Sequence, residues 1–79
     1  MRELVEYVAR ALVTEPEAVR VTEAEREGEA VLELRVAKID LGRVIGKEGR
    51  TAKALRAILN AAAARKNQRV SLEIIEDVD

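Results

Sequence analysis

The sequence predicts an α+β two-layer sandwich, in the order α-β-β-α-α-β, with three strands and the helices stacked on one face of the sheet. Three observations lead there. Apolar residues recur at helical spacing, then at every second position, then at helical spacing again and finally at every second position. About thirty residues separate the second and third alternating stretches, long enough for a helical crossover that returns the chain to the same sheet. Each alternating stretch has one polar side, which implies one wet face.

Leu4, Val5, Val8, Ala11 and Leu12 form the apolar stripe of an amphipathic helix over residues 2–13, and Pro16 bars its continuation. Val19 and Val21 then alternate with Arg20 and Thr22, and Leu32, Leu34 and Val36 with Glu33 and Arg35. Between them Glu27-Gly28-Glu29 supplies a glycine able to take positive φ, so the pair forms an antiparallel hairpin turning near Gly28. Asp40 is placed to cap a short helix through Val44 and Ile45. A long helix from Arg50 to Lys66 buries Ala52, Leu55, Ile58, Leu59, Ala62 and Ala63, and Asn67 stops it. In the last strand Val70, Leu72 and Ile74 face in and Ser71 and Glu73 face out, before an acidic tail of Glu76, Asp77 and Asp79.

With 79 residues the chain has room for one domain over 1–79, and 48% hydrophobic content supplies a core. Cysteine and histidine are both absent, which removes disulfides, thiolate nucleophiles, imidazole metal ligation and histidine acid–base chemistry. Ser71 therefore has no histidine to activate it, and the terminal acids read as a solvated tail rather than a metal site. No enzyme, cofactor or metal is expected. No run approaches the roughly 20 apolar residues of a membrane span, and no leader opens the chain, so a cytoplasmic protein without membrane contact is expected. The net charge of −1 hides a strong asymmetry. Residues 1–42 carry six basic and ten acidic side chains, residues 43–69 eight basic and one acidic, and residues 70–79 four acidic, for nets of −4, +7 and −4.

The basic segment contains Val44-Ile45-Gly46-Lys47-Glu48-Gly49-Arg50, where one helix must end and the next begin. Gly46 and Gly49 let the backbone turn sharply and let an extended ligand strand approach the main chain. The loop feeds a helix N-terminus, whose free N–H groups favour a phosphate. Lys47, Arg50, Lys53 and Arg56 put cations around this bare backbone. A nucleotide-hydrolase loop is a poor alternative: Gly42 to Gly46-Lys47 is one residue short, and Glu48 stands where Ser or Thr would hold magnesium.

The run Asp40-Leu41-Gly42-Arg43-Val44-Ile45-Gly46-Lys47-Glu48-Gly49-Arg50-Thr51 resembles the signature of a KH domain. In that fold a GXXG loop, here 46–49, clamps about four single-stranded nucleotides. The element order resembles the type II arrangement, which implies a three-stranded mixed sheet. With G-R-V-I-G-K-x-G-R-T before an alanine-rich helix, the whole chain is similar to the small bacterial KhpA family of RNA-binding proteins. The resemblance makes Gly46, Lys47, Glu48 and Gly49 the backbone clamp for single-stranded RNA, and Arg43, Arg50 and Lys53 the phosphate neutralisers. Val44 and Ile45 fit the groove floor and the core equally well, and Val36 to Ile39 at the edge of the second strand would form the opposite wall. Glu48 departs from a purely cationic clamp, since a carboxylate repels phosphate. The resemblance further implies an RNA chaperone or post-transcriptional regulator, a homodimer, a larger KH-type partner resembling KhpB, and a link to cell shape and cell-wall homeostasis.

Two features bear on how such a protein would act. The lone aromatic, Tyr7, lies on the first helix and reads as a partly buried packing residue, so the stacking platform of many single-strand binders is missing. Ala54, Ala57, Ala61 and Ala64 share one sector of the long helix, where small side chains would let a second copy approach, although alanine is also simply the best helix former. The competing function is a protein-interaction or dimerisation module on a KH scaffold with little RNA binding of its own.

Overall fold

A computed structural model describes residues 1–76, so Asp77 and Asp79 of the acidic tail lie outside the described residues. Helix α1 spans Arg2–Leu12 and ends before Pro16, which instead opens a single 3₁₀ turn, Pro16–Ala18. Strands β1, Arg20–Arg26, and β2, Glu29–Val36, pair antiparallel, with Val21 opposite Leu34 and Arg26 opposite Glu29. The two residues left at the turn, Glu27 (φ 52°) and Gly28 (φ 79°), are both left-handed. That geometry matches the right-handed twist of the flanking strands.

After a 3₁₀ turn at Lys38–Asp40 come helices α2, Leu41–Ile45, and α3, Arg50–Arg65, followed by strand β3, Val70–Glu76. Asn67 (φ 56°) ends α3 as the sequence implies: its N–H donates to the Ala64 carbonyl at 3.1 Å and that of Gln68 to Ala63 at 2.9 Å, closing a Schellman motif. Strand β3 then runs parallel to β2, with Leu32 opposite Leu72 and Leu34 opposite Ile74. The sheet is three-stranded and mixed, in the order β1-β2-β3, as expected of the α+β sandwich.

Register puts Val21, Leu34 and Ile74 in one row and Leu32 and Leu72 in the next, on the face toward the helices. Val5 and Ala9 of α1, Val44 of α2, and Leu55, Leu59 and Ala63 of α3 close over these rows in one cluster. The other face carries charge: Arg26 pairs with Glu33 and with Glu73, both at 3.7 Å, and Arg35 with Glu33 at 3.5 Å.

Several expectations fail. Of the stripe expected on α1, Val5 is buried and Val8 half-buried, but Leu4, Ala11 and Leu12 are exposed and Ala9 is buried instead. Ile58 is 52% exposed and Ala62 only half-buried, because the buried stripe of α3 is the narrower set Ala52, Leu55, Leu59 and Ala63 at strict three- and four-residue steps. Tyr7 is 75% exposed, on the solvent side of α1 opposite Val5 and Ala9. Asp40 occupies the residue before α2, yet its carboxylate makes no capping bond.

Asp40 instead is fully buried and reaches across the chain. Oδ1 accepts from the Thr14 amide and hydroxyl, both at 2.9 Å, and Oδ2 accepts from the Glu15 amide at 3.1 Å. Arg43 Nε approaches Oδ1 at 3.5 Å. Burial pushes the Asp40 carboxyl up, but the Thr14 and Glu15 donors and the Arg43 charge outweigh it and hold the group below its ordinary value. A carboxylate depressed in the folded state contributes stability above its unfolded pKa of about 3.9, and that contribution is lost as pH falls through the folded value. Asp40→Asn presents an amino group to one of three donors, so it should lower the melting temperature at pH 7 and flatten the acid limb below about pH 4. Thermal melts from pH 2 to 7 check this, and an unchanged acid limb would assign the acid sensitivity to other carboxylates.

Candidate nucleic-acid interface

Helix α2 stops because Gly46 leaves the helical region, at φ 78° and ψ 169°, a conformation nearly exclusive to glycine. Its N–H still donates to the Gly42 carbonyl at 2.8 Å, and the Gly49 N–H donates to the Gly46 carbonyl at 3.0 Å, so the loop folds as one tight turn. Glu48 (φ 57°, ψ 25°) and Gly49 (φ 74°, ψ 13°) are both left-handed, and α3 begins at Arg50 without a side-chain cap. The Arg50 N–H donates to the Lys47 carbonyl, and the N–H groups that follow it lie at the positive dipole end of α3 without a side-chain cap.

The two glycines do different work. A Cβ on Gly46 would lie 2.8 Å from the Thr51 backbone nitrogen and 2.7 Å from the Thr51 Cβ, so the start of α3 itself excludes any side chain. A Cβ on Gly49 would meet nothing within 4 Å. Gly46 is needed by the fold, while Gly49 keeps a surface bare.

Arg43, Lys47, Arg50 and Lys53 are all exposed around this loop. Two of them are already engaged: Arg43 through Asp40, and Arg50 through Glu48, whose Oε1 accepts from Nη2 at 3.0 Å. Glu48 therefore lies against a cation rather than alone in the clamp. Lys47 and Lys53 make no ion pair among the described residues. The structure separates the neighbouring apolar pair. Val44 is 2% exposed and belongs to the core, whereas Ile45 is exposed beside the loop.

The stretch Val36 to Ile39 offers no free strand edge. Strand β2 is the central strand, so it has no free edge, and Val36 is fully buried. The free edge beside α3 belongs to β3, where Arg56 donates from Nε and Nη2 to the Leu72 carbonyl, both at 3.2 Å. Ile39 stands exposed in the turn before α2. On α3, Ala54, Ala57, Ala61 and Ala64 are all exposed, and Ile58 lies beside them, four residues after Ala54 and three before Ala61. Sequence reasoning missed Ile58 by assigning it to the core, although its spacing from the alanines fits the surface sector equally well.

A family model described as KhpA/KhpB, KH domain, matches residues 2–74. The chain belongs to that family. Among curated relatives, it is 49% identical over 77 residues to a Chlamydia pneumoniae protein named RNA-binding protein KhpA, covering 98% of this chain and 99% of the relative. Proteins of the same name from Clostridium perfringens and Treponema pallidum are 51% identical over 75 residues and 53% identical over 74, covering 95% and 94% of this chain and 100% and 92% of theirs. No solved structure matches. The KhpA/KhpB match takes in α2, the loop and α3 entirely and ends at Ile74, within β3.

Gly46→Ala should destabilise this KhpA/KhpB chain by several-fold more than Gly49→Ala, whose cost is the left-handed strain of roughly 1–2 kcal/mol. Urea unfolding of both variants checks this, and equal losses would remove the Thr51 contact as the reason for Gly46.

Proposed function

We propose that this chain is a non-enzymatic, single-stranded RNA-binding protein that holds the RNA backbone at Gly46, Lys47, Glu48 and Gly49. The observation that carries the reading is the bare, left-handed Glu48-Gly49 turn delivering its chain into the uncapped start of α3, with Arg43, Lys47, Arg50 and Lys53 around it. Phosphate meets free N–H groups and cations there, and Ile45 offers an apolar contact to a base. The names of the relatives support the same reading. Recognition leans on phosphates, so it is weakly sequence-specific and salt-sensitive. An RNA chaperone or post-transcriptional role, in the cytoplasm and in the service of cell-wall homeostasis, is the family-level extension of this reading. None of the described helices is long and apolar enough to cross a membrane.

The protein acts as a homodimer through α3 in this proposal, a second copy covering Ile58 with Ala54, Ala57, Ala61 and Ala64 around it. An exposed isoleucine among small side chains gives such a face both an anchor and close approach. A KhpB-like protein would use the same face, and the family description spans both names.

Anisotropy of a labelled RNA of about ten nucleotides should show binding that weakens with salt, at a log–log slope of about −2 to −3 for three or four phosphates. Gly49→Asp, which meets open space, should abolish binding in a still-folded protein; a wild type that binds no RNA would overturn the reading in favour of an interaction module. Light scattering should give twice the chain mass for the wild type and the single-chain mass for folded Ile58→Asp, and a monomeric wild type would remove the dimer.

A further inference from the structure

The side of α3 that faces the free edge of β3 holds a second set of recognition groups. Along a strand, alternate residues direct both their N–H and C=O to the same neighbour. The Arg69 carbonyl accepts from the Ala30 amide of β2 at 2.9 Å, which turns Arg69, Ser71, Glu73 and Ile75 toward β2. Val70, Leu72 and Ile74 accordingly direct theirs away from the sheet. Arg56 meets one of these outward groups, donating twice to the Leu72 carbonyl.

That contact orients the guanidinium and spends only part of it. Of five N–H donors, two are used, and the remaining three lie in the guanidinium plane on the edges turned away from the Leu72 carbonyl. Arg56 is exposed, and beside it lies a cavity of about 150 Å³ lined by Arg56, Leu59, Asn60, Val70, Ser71 and Leu72. Its floor is aliphatic, and Arg56 and Asn60 of α3 stand at its rim. The hollow lies about 10 Å along α3 from the loop at 1.5 Å per residue.

We infer that this hollow takes one nucleobase of the bound RNA and that Arg56 selects guanine there. The inference rests on the RNA-binding reading above. An aliphatic floor suits any base face. The rim discriminates: two parallel donors of one guanidinium match the O6 and N7 acceptors of guanine, whereas adenine places its N6 amino group against a donor and cytosine its N4 amino group. Lysine does not replace arginine at such a place, because an ammonium lacks the planar fork. A mobile surface arginine would contact phosphate without regard to sequence, and the clip to Leu72 is what removes that freedom.

The test is anisotropy with ten-nucleotide RNAs in which a single G, A, C or U is walked through an unstructured background, for wild type, Arg56→Lys and Asn60→Ala. The wild type should prefer guanine at one position by roughly ten-fold. Arg56→Lys should erase that preference while leaving affinity for the other three bases within about two-fold, since charge is retained. Asn60→Ala should weaken the preference without touching the clip, and it decides the matter if Arg56→Lys does not fold. A wild type that binds RNA with no base preference at any position, a preference that survives Arg56→Lys and Asn60→Ala, or an equal loss for all four bases in Arg56→Lys would each overturn the assignment. A wild type that binds no RNA at all would overturn the underlying reading with it.

Discussion

The buried carboxylate of Asp40 is the constraint on which the placement of the loop depends. It is the one fully buried charged side chain among the described residues, and its three donors come from Thr14 and Glu15, some twenty-five positions earlier. A charge in that position is tolerable only while every lone pair facing the interior is satisfied, so the link is stiff. It ties the connection after α1 to the residue just before α2, and α2 is only five residues long. So short a helix has little stability of its own. Val44 in the core and Asp40 at the entrance hold it, and the loop begins where it ends.

From that anchor the remaining geometry follows by short steps. Arg43 is turned toward Asp40, Gly46 breaks the helix with Thr51 packed where a side chain would be, and Glu48 and Gly49 wind the backbone left-handed into α3. The strain of a left-handed glutamate is local and modest. Its side chain lands on Arg50, which turns a carboxylate that would repel phosphate into part of an exposed ion pair. Such a pair is weak and readily exchanged for a stronger anion.

The helical layer thus presents two unlike surfaces. At the start of α3 the backbone is bare and the side chains are cationic; farther along, one flank shows Ile58 among alanines while the other is pinned to β3 by Arg56. The pinning also closes part of an edge that could pair with a strand of another chain.

Much of this was legible in order and spacing. Alternation at Val19 to Val36 and Val70 to Ile74, the helical stripes, the turn at Gly28 and the stop at Asn67 are local signals, and they lead directly to the α+β sandwich. The two glycines and the basic segment from 43 to 69 likewise marked the loop and its cations by chemistry alone. What periodicity could not supply was neighbours. It tells which way a side chain points but not which strand lies in the middle of a sheet, so β2 read as an edge and proved to be the central strand. It tells that Asp40 precedes a helix but not that Thr14 returns to meet it, and it cannot tell a buried isoleucine from one at the margin of a narrow stripe. The sequence alone determined the elements and the chemical character of the loop, because those depend on residues a few positions apart. Only the tertiary structure decided the partner of Asp40, the exposure of Ile58 and Tyr7, the separate duties of Gly46 and Gly49, and the grip of Arg56 on Leu72. Each of those depends on packing between segments distant along the chain or on the backbone path taken at one turn.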